Sequence, residues 1–311
     1  MRVALLAGGY GGARFAQALA ETVGSSELTV IVNVGDDLEV LGLHVSPDID
    51  SVVYTLAGLA DAERGWGRAN ETWNALETAG DLRAETWFQL GDRDIGLHLV
   101  RTEALRRGEP LSGVTAAIST ALGVEATVLP ATDERLRTWV QTPAGDFPFQ
   151  DWFVARGHRD DVDGVRFEGA ESAGAAPGVV EALGVADLIG IAPSNPYVSI
   201  RPILAVSEIH EAVERRQAPC VAVSPLIGGK TVKGPADRML ARMAGGTTAA
   251  HVARCYAGLV DALVLDVADA EGAEAVAAER MRPIVAPTFM QDAESRRRLA
   301  EAALEAAAVP R

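Results

Sequence analysis

The residues of this chain best placed to do chemistry fall in short polar clusters, each at the end of an apolar run. The first is Gly8-Gly-Tyr-Gly-Gly12, between an apolar run at residues 3–7 and a helical pattern over residues 13–19. A strand that turns through glycines into a helix leaves backbone N–H groups bare at the helix N-terminus. Those groups and the helix dipole favour an anion, most often a phosphate. Gly9, Gly11 and Gly12 are therefore candidate phosphate contacts. The motif matches no standard phosphate loop: read as G-x-G-x-x-G from Gly9, its last position is Arg14, and no Gly-Lys-Ser/Thr follows. A plain strand–helix turn is the competing reading.

Carboxylates form the second cluster. The apolar run at residues 28–34 ends in Asn33-Val-Gly-Asp-Asp37, and Ser46-Pro-Asp-Ile-Asp50 follows. One carboxylate at a strand end suits a ribose hydroxyl; a pair suits Mg²⁺ through oxygen ligands. Asp36 and Asp37 are equally good turn residues, and Asp50, near a first helical turn, is equally a capping residue. A third cluster, Gly91-Asp-Arg-Asp-Ile-Gly96, carries Arg93. Its guanidinium can fork onto a phosphate, a carboxylate or a polar ring edge, or simply pair with Asp92 or Asp94. Asn195, in Pro193-Ser-Asn-Pro196, can present an amide to a base or phosphate. Both lysines of the chain, Lys230 and Lys233, lie in one stretch, Pro225-Leu-Ile-Gly-Gly-Lys-Thr-Val-Lys-Gly-Pro235. That stretch reads as a separate anion loop of mobile amides and two ammonium groups, with a helix from residue 235.

The elements that must hold these clusters alternate. Apolar strands at residues 3–7, 28–34, 126–130, 186–192, 220–224 and 260–267 are separated by helical patterns, including residues 97–107 and 114–123. The fold class expected is α/β: a Rossmann-like, doubly wound, mostly parallel sheet with a ligand crevice at its carboxyl edge. Short aromatic segments broken by turn residues at 137–178 predict a small antiparallel β/helical insertion. The whole of residues 1–311 is expected to form one large domain.

Composition excludes several classes. The 311 residues carry 28 basic against 43 acidic side chains, a net charge of −15, which argues against a nucleic-acid surface. No apolar run approaches the ~20 residues of a membrane span, and the N-terminus has no signal-peptide pattern. Two cysteines, Cys220 and Cys255, read as buried thiols, and a cytoplasmic protein is expected. Histidines are scattered singly, with no zinc spacing.

Taken in order, these stretches resemble the 2-phospho-L-lactate transferase family of coenzyme F-420 biosynthesis. The resemblance rests on Gly8-Gly-Tyr-Gly-Gly-Ala-Arg14, Asn33-Val-Gly-Asp-Asp37, Ser46-Pro-Asp-Ile-Asp50 and Gly91-Asp-Arg-Asp-Ile-Gly-Leu97. Gln141-Thr-Pro-Ala-Gly145, Phe149-Gln-Asp-Trp-Phe153, Pro193-Ser-Asn-Pro196 and the lysine stretch complete it. Tyr10 departs from it, standing where a small residue such as Thr is expected. The resemblance implies a Mg²⁺-dependent transferase and a homodimer. Its donor would be a guanosine diphosphate-linked three-carbon acid, phosphoenolpyruvate or 2-phospho-L-lactate, and its acceptor a deazariboflavin. In that reading Gly9, Gly11, Gly12, Lys230 and Lys233 hold the diphosphate and Asn195 sits by the guanosine. Asp36, Asp37 and Asp50 are metal candidates, Asp50 and Arg93 lie at the deazaflavin, and Asp37, Asp50 and Arg93 are the catalytic candidates. Two alternatives are a UDP-sugar-binding regulatory protein, which shares the glycine turn and strand-end carboxylates, and a dinucleotide oxidoreductase, which the imperfect glycine fingerprint disfavours.

Overall fold

The computed structural model describes residues 1–308. Strand β1 (Val3–Ala7) runs into helix α1 (Gly9–Val23), and β2 (Leu28–Val32) follows. A small hairpin, β3 (Leu38–Val40) and β4 (Leu43–Val45), leads to α2 (Pro47–Leu56), with Pro47 at the first helical position, where its missing N–H costs nothing. After a long loop come α3 (Asn74–Asp81) and α4 (Asp92–Arg106), then strand β5 (Thr127–Pro130). The insertion holds β6 (Arg137–Thr142), β7 (Gly145–Pro148) and β8 (Gly164–Glu168), antiparallel in the order β7-β6-β8. The chain then returns through β9 (Leu188–Ile191), β10 (Cys220–Val223), a two-residue-turn hairpin β11 (Leu226–Ile227) and β12 (Lys230–Thr231), β13 (Ala262–Leu265) and β14 (Arg282–Val285).

Seven strands form one parallel sheet in the order β14-β13-β10-β9-β1-β2-β5. Strands β1, β9, β10 and β13 are buried at every position, as expected where helices cover both faces. From β1 the chain winds outward to β2 and β5; it then crosses back to β9 on the other side of β1. The carboxyl ends of β1 and β9 flank the point where the winding reverses, and open α/β sheets bind ligands there. Residues of the insertion, Val140, Phe149 and Trp152, belong to the same buried cluster as Leu5 and Ile31, so the small sheet leans on the main core. Cys220 is buried and Cys255 half-buried. Among the described residues no helix is long and apolar enough to cross a membrane.

Two helices start earlier than the apolar spacing predicts. Helix α1 begins at Gly9, so the glycines form its first turn rather than a loop before it. Helix α4 begins at Asp92, which puts Arg93 and Asp94 in a first turn whose N–H groups bond the Glu71 carboxylate. In both cases polar or glycine residues open a helix that tertiary partners complete.

Candidate active site

The glycines are required by the protein's own packing. A Cβ on Gly11 would lie 2.5 Å from the Pro193 carbonyl oxygen, and one on Gly12 3.1 Å from Ser194 Oγ. At Gly8 it would meet Asp48 Oδ2 at 2.7 Å. The turn is thus wedged between the loop after β9 and the start of α2, and Ser194 Oγ pins it by donating to the Gly8 carbonyl at 2.7 Å. Gly9 is different: its φ of +66° requires glycine, and only Ser199 Oγ comes within 4 Å. The Gly9 N–H is taken by Asp48. The next N–H groups of the first turn have no partner within the helix.

Beside the turn sits a group of buried carboxylates. Asn33, fully buried, donates Nδ2 to Asp48 Oδ2 at 2.9 Å and accepts the Gly35 N–H at 2.7 Å, tying the end of β2 to α2. Burial, then the charge of Asp48, pushes the Asp36 carboxyl well above the usual carboxylate range. Burial likewise pushes Asp48 up to about 6, against the Asn33 and Gly9 bonds that lower it. Asp37 Oδ2 accepts Ser46 Oγ at 2.7 Å and lies 3.0 Å from His44 Nε2. Asp36 Oδ1 and Asp37 Oδ1 are buried without any hydrogen-bond partner. Unpartnered buried carboxylate oxygens are costly, and a proton or a cation offsets that cost.

Asp50 is engaged elsewhere. Its two oxygens are taken by the two terminal nitrogens of Arg101, one of them at 3.0 Å, in a buried fork. The reason is helical geometry: residues two apart on a helix diverge by about 200°, so Asp48 faces the glycine turn while Asp50 faces α4. His98, pushed down to about 4 chiefly by burial, is neutral and lies 3.3 Å from Arg101 Nη1. Of the expected metal candidates Asp36, Asp37 and Asp50, Asp50 is engaged by Arg101, and Asp48 is the carboxylate that lies beside the turn. Among the described residues no three His, Cys, Asp or Glu side chains gather as a ready metal cage. A Mg²⁺ site needs only one or two carboxylates, with substrate phosphates and water completing it. The free oxygens of Asp36 and Asp37 fit that donor set.

The remaining expected residues scatter around this edge. Arg93 is exposed and pairs with neither neighbour: Asp92 caps the start of α3, accepting from Thr72, Asn74 and Ala75, and Asp94 accepts the Tyr54 hydroxyl at 2.6 Å. Asn195 spends its oxygen on the Tyr197 N–H at 3.0 Å; its amide reaches only Met239 Sδ, at 3.2 Å. The expected open anion loop is instead a tight hairpin turn. Gly228 and Gly229 have φ of +58° and +73°, as a type I′ turn requires, and both N–H groups bond the Asp269 carboxylate. Lys230 and Lys233 are both exposed, and Lys233 Nζ lies 4.7 Å from the Tyr10 ring centroid.

Sequence reasoning missed Asn33 as a bridge, Asp48, His44, Ser46 and Arg101. Asp48 was in view within Ser46-Pro-Asp-Ile-Asp50, and the helical period could have separated it from Asp50. Nothing local marks Arg101, which lies 51 positions from Asp50.

A family model described as 2-phospho-L-lactate transferase CofD matches residues 3–305. A phosphoenolpyruvate transferase of Streptomyces griseus is 42% identical over 313 residues, covering 99% of this chain and 98% of that protein. One from Mycolicibacterium smegmatis is 39% identical over 330 residues, covering 99% of each. Among solved structures, a UPF0052-family protein from Bacillus halodurans superposes with a TM-score of 0.66 at 19% identity, covering 97% of this chain and 98% of that one; it shares the fold. With one family match spanning nearly all of its length and full-length relatives near 40% identity, this chain belongs to the 2-phospho-L-lactate transferase family.

Proposed function

We propose that this transferase moves a phosphoenolpyruvyl group, or a 2-phospho-L-lactyl group, from a guanosine diphosphate-linked donor to the ribityl hydroxyl of 7,8-didemethyl-8-hydroxy-5-deazariboflavin. The new O–P bond forms as the P–O bond to the nucleotide breaks; GMP departs and the hydroxyl proton is released. The reading places the reaction in coenzyme F-420 biosynthesis, in a cytoplasmic homodimer. Support for the three-carbon acid comes from full-length relatives named phosphoenolpyruvate transferase. The observation that carries the reading is the pair of buried, unpartnered oxygens of Asp36 and Asp37 beside the glycine turn at the switch point.

Phosphoryl transfer asks a protein for positioning and charge neutralisation more than for covalent help. The first-turn N–H groups beyond Gly9, at Gly11 and Gly12, hold donor phosphate oxygens. Asp36 and Asp37 would hold Mg²⁺, which when bound neutralises phosphate charge. Asp50, locked by Arg101, positions the acceptor hydroxyl rather than a metal, with Arg93 toward the same acceptor. Asn195, whose amide has only a sulfur for partner, reaches the guanosine, and Lys230 counters diphosphate charge.

Mass spectrometry of products from the deazariboflavin and each candidate donor tests this. Phosphoenolpyruvyl and phospholactyl adducts differ by two hydrogens, so the product identifies the acid. No adduct with either donor, together with binding of a UDP-sugar but not GDP, would transfer the chain to the regulatory reading.

A further inference from the structure

Tyr10 has no part in the chemistry above, yet three separate segments meet at its ring. Tyr10 stands in the first turn of α1, Lys233 follows the β11–β12 hairpin, and Gly65 lies in the loop between α2 and α3. Lys233 Nζ donates to the Arg64 carbonyl at 3.1 Å and lies 4.7 Å from the Tyr10 ring centroid. Gly65 leaves the notch that admits it: a Cβ there would fall 1.9 Å from Nζ. The α2–α3 loop is itself preformed. The Arg64 guanidinium sits 5.1 Å from the Trp66 ring and 5.2 Å from the Trp73 ring, pairs with Asp61 at 2.9 Å and donates to the Arg68 carbonyl at 2.6 Å. Backbone bonds from Asp61 to Gly67, Gly65 to Asp61 and Ala69 to Leu59 close it. These bonds make the loop a strap, and Lys233 fastens it to the glycine turn, so that the strap's own bonds open less often while the clasp is made.

The fastening is made of weak partners. Lys233 is exposed, and the structure gives its ammonium a neutral carbonyl and a ring face, with no carboxylate in pairing range. A phosphate oxygen outbids both, since charge-assisted bonds are roughly twice as strong as neutral ones and an exposed cation–π contact is small. We propose that Lys233 is a positioning residue that clasps the strap onto Tyr10 in the empty protein and exchanges that clasp for a phosphate of a nucleoside diphosphate donor. Donor binding then frees the strap. The inference rests on the donor reading above.

Hydrogen exchange at the Asp61, Gly65 and Ala69 amides reads the strap directly, with the thermal midpoint recorded in the same samples. In the wild type, saturating GDP is expected to speed exchange at these amides about tenfold. Lys233→Met is expected to exchange fast without ligand and to ignore GDP, and Lys233→Arg to restore both protection and response. GDP that raises the midpoint while leaving the three amides unchanged overturns the clasp and leaves the donor reading standing. Lys233→Met with wild-type protection also overturns the clasp. If neither GDP nor inorganic pyrophosphate shifts the wild-type midpoint, both fall.

Discussion

Ionised Asp48 costs the folded chain stability. Its carboxyl is pushed up from 3.8 to about 6, first by burial, so the folded state holds its proton more tightly than the unfolded chain does. By linkage this group's contribution is most favourable below pH 4, declines as pH rises through about 6, and is a full penalty above 7. In chelator, Asp48→Asn is therefore expected to raise unfolding free energy by on the order of 2–3 kcal/mol at pH 8, with the gain fading by pH 5. The amide keeps an oxygen for Asn33 and the Gly9 N–H. Urea titrations at the two pH values check this, and transfer activity should fall as stability rises. The Asp50–Arg101 fork behaves oppositely. Removing one partner strands a buried charge, so Asp50→Asn and Arg101→Met should each lose about 3–5 kcal/mol. The double variant should recover most of that stability and still fail to transfer, which separates Asp50's role toward the acceptor from its structural one. Recovered transfer in the double variant would remove Asp50 from the reaction.

At the scale of elements, two glycines in the first turn of α1 and in mid-α4 look alike in sequence and differ in surroundings. Gly11 faces the Pro193 carbonyl, while nothing lies within 4 Å of a Cβ on Gly96. Gly11→Ala should destabilise by roughly 1–3 kcal/mol through forced separation of α1 from the β9 loop. Gly96→Ala should stabilise by roughly 0.5–1 kcal/mol, because alanine loses less backbone freedom in a helix. Chemical denaturation of the two variants side by side distinguishes a packing glycine from a merely tolerated one. The same contrast explains why the phosphate-loop fingerprint was imperfect. Most of these glycines answer to neighbouring protein atoms, so their spacing follows the fold rather than the pyrophosphate rule.

For the whole molecule, the proposed reading makes the acidic crevice, Mg²⁺ and the donor phosphates one thermodynamic system. A ligand held 100-fold above its Kd adds about 2.7 kcal/mol to stability. Mg²⁺ and GDP together are expected to raise the thermal midpoint by more than the sum of their separate effects, because phosphate oxygens complete what Asp36 and Asp37 begin. Replacing both by Asn should abolish that surplus while leaving the Mg²⁺-free midpoint no lower. An unchanged surplus in the Asp36→Asn, Asp37→Asn variant would take these carboxylates out of the metal site.

Several features were legible in the residues alone. Continuous apolar runs such as Val3–Ala7 and Leu28–Val32 mark buried parallel strands, because a strand covered on both faces needs no polar alternation. Polar clusters do follow those strands, and the aromatic, turn-broken stretch from residue 137 announced the antiparallel β6–β8 sheet. What the tertiary structure alone decided was pairing. Arg101 reaches Asp50 across 51 residues, Asp269 fills the Gly228–Gly229 amides across about 40, and Lys233 finds Arg64 across 169. Such contacts leave no local trace, because either partner has the same propensity wherever it sits. Which carboxylate is already neutralised depends on where a distant guanidinium lands, and here that is set by how α4 lies against α2.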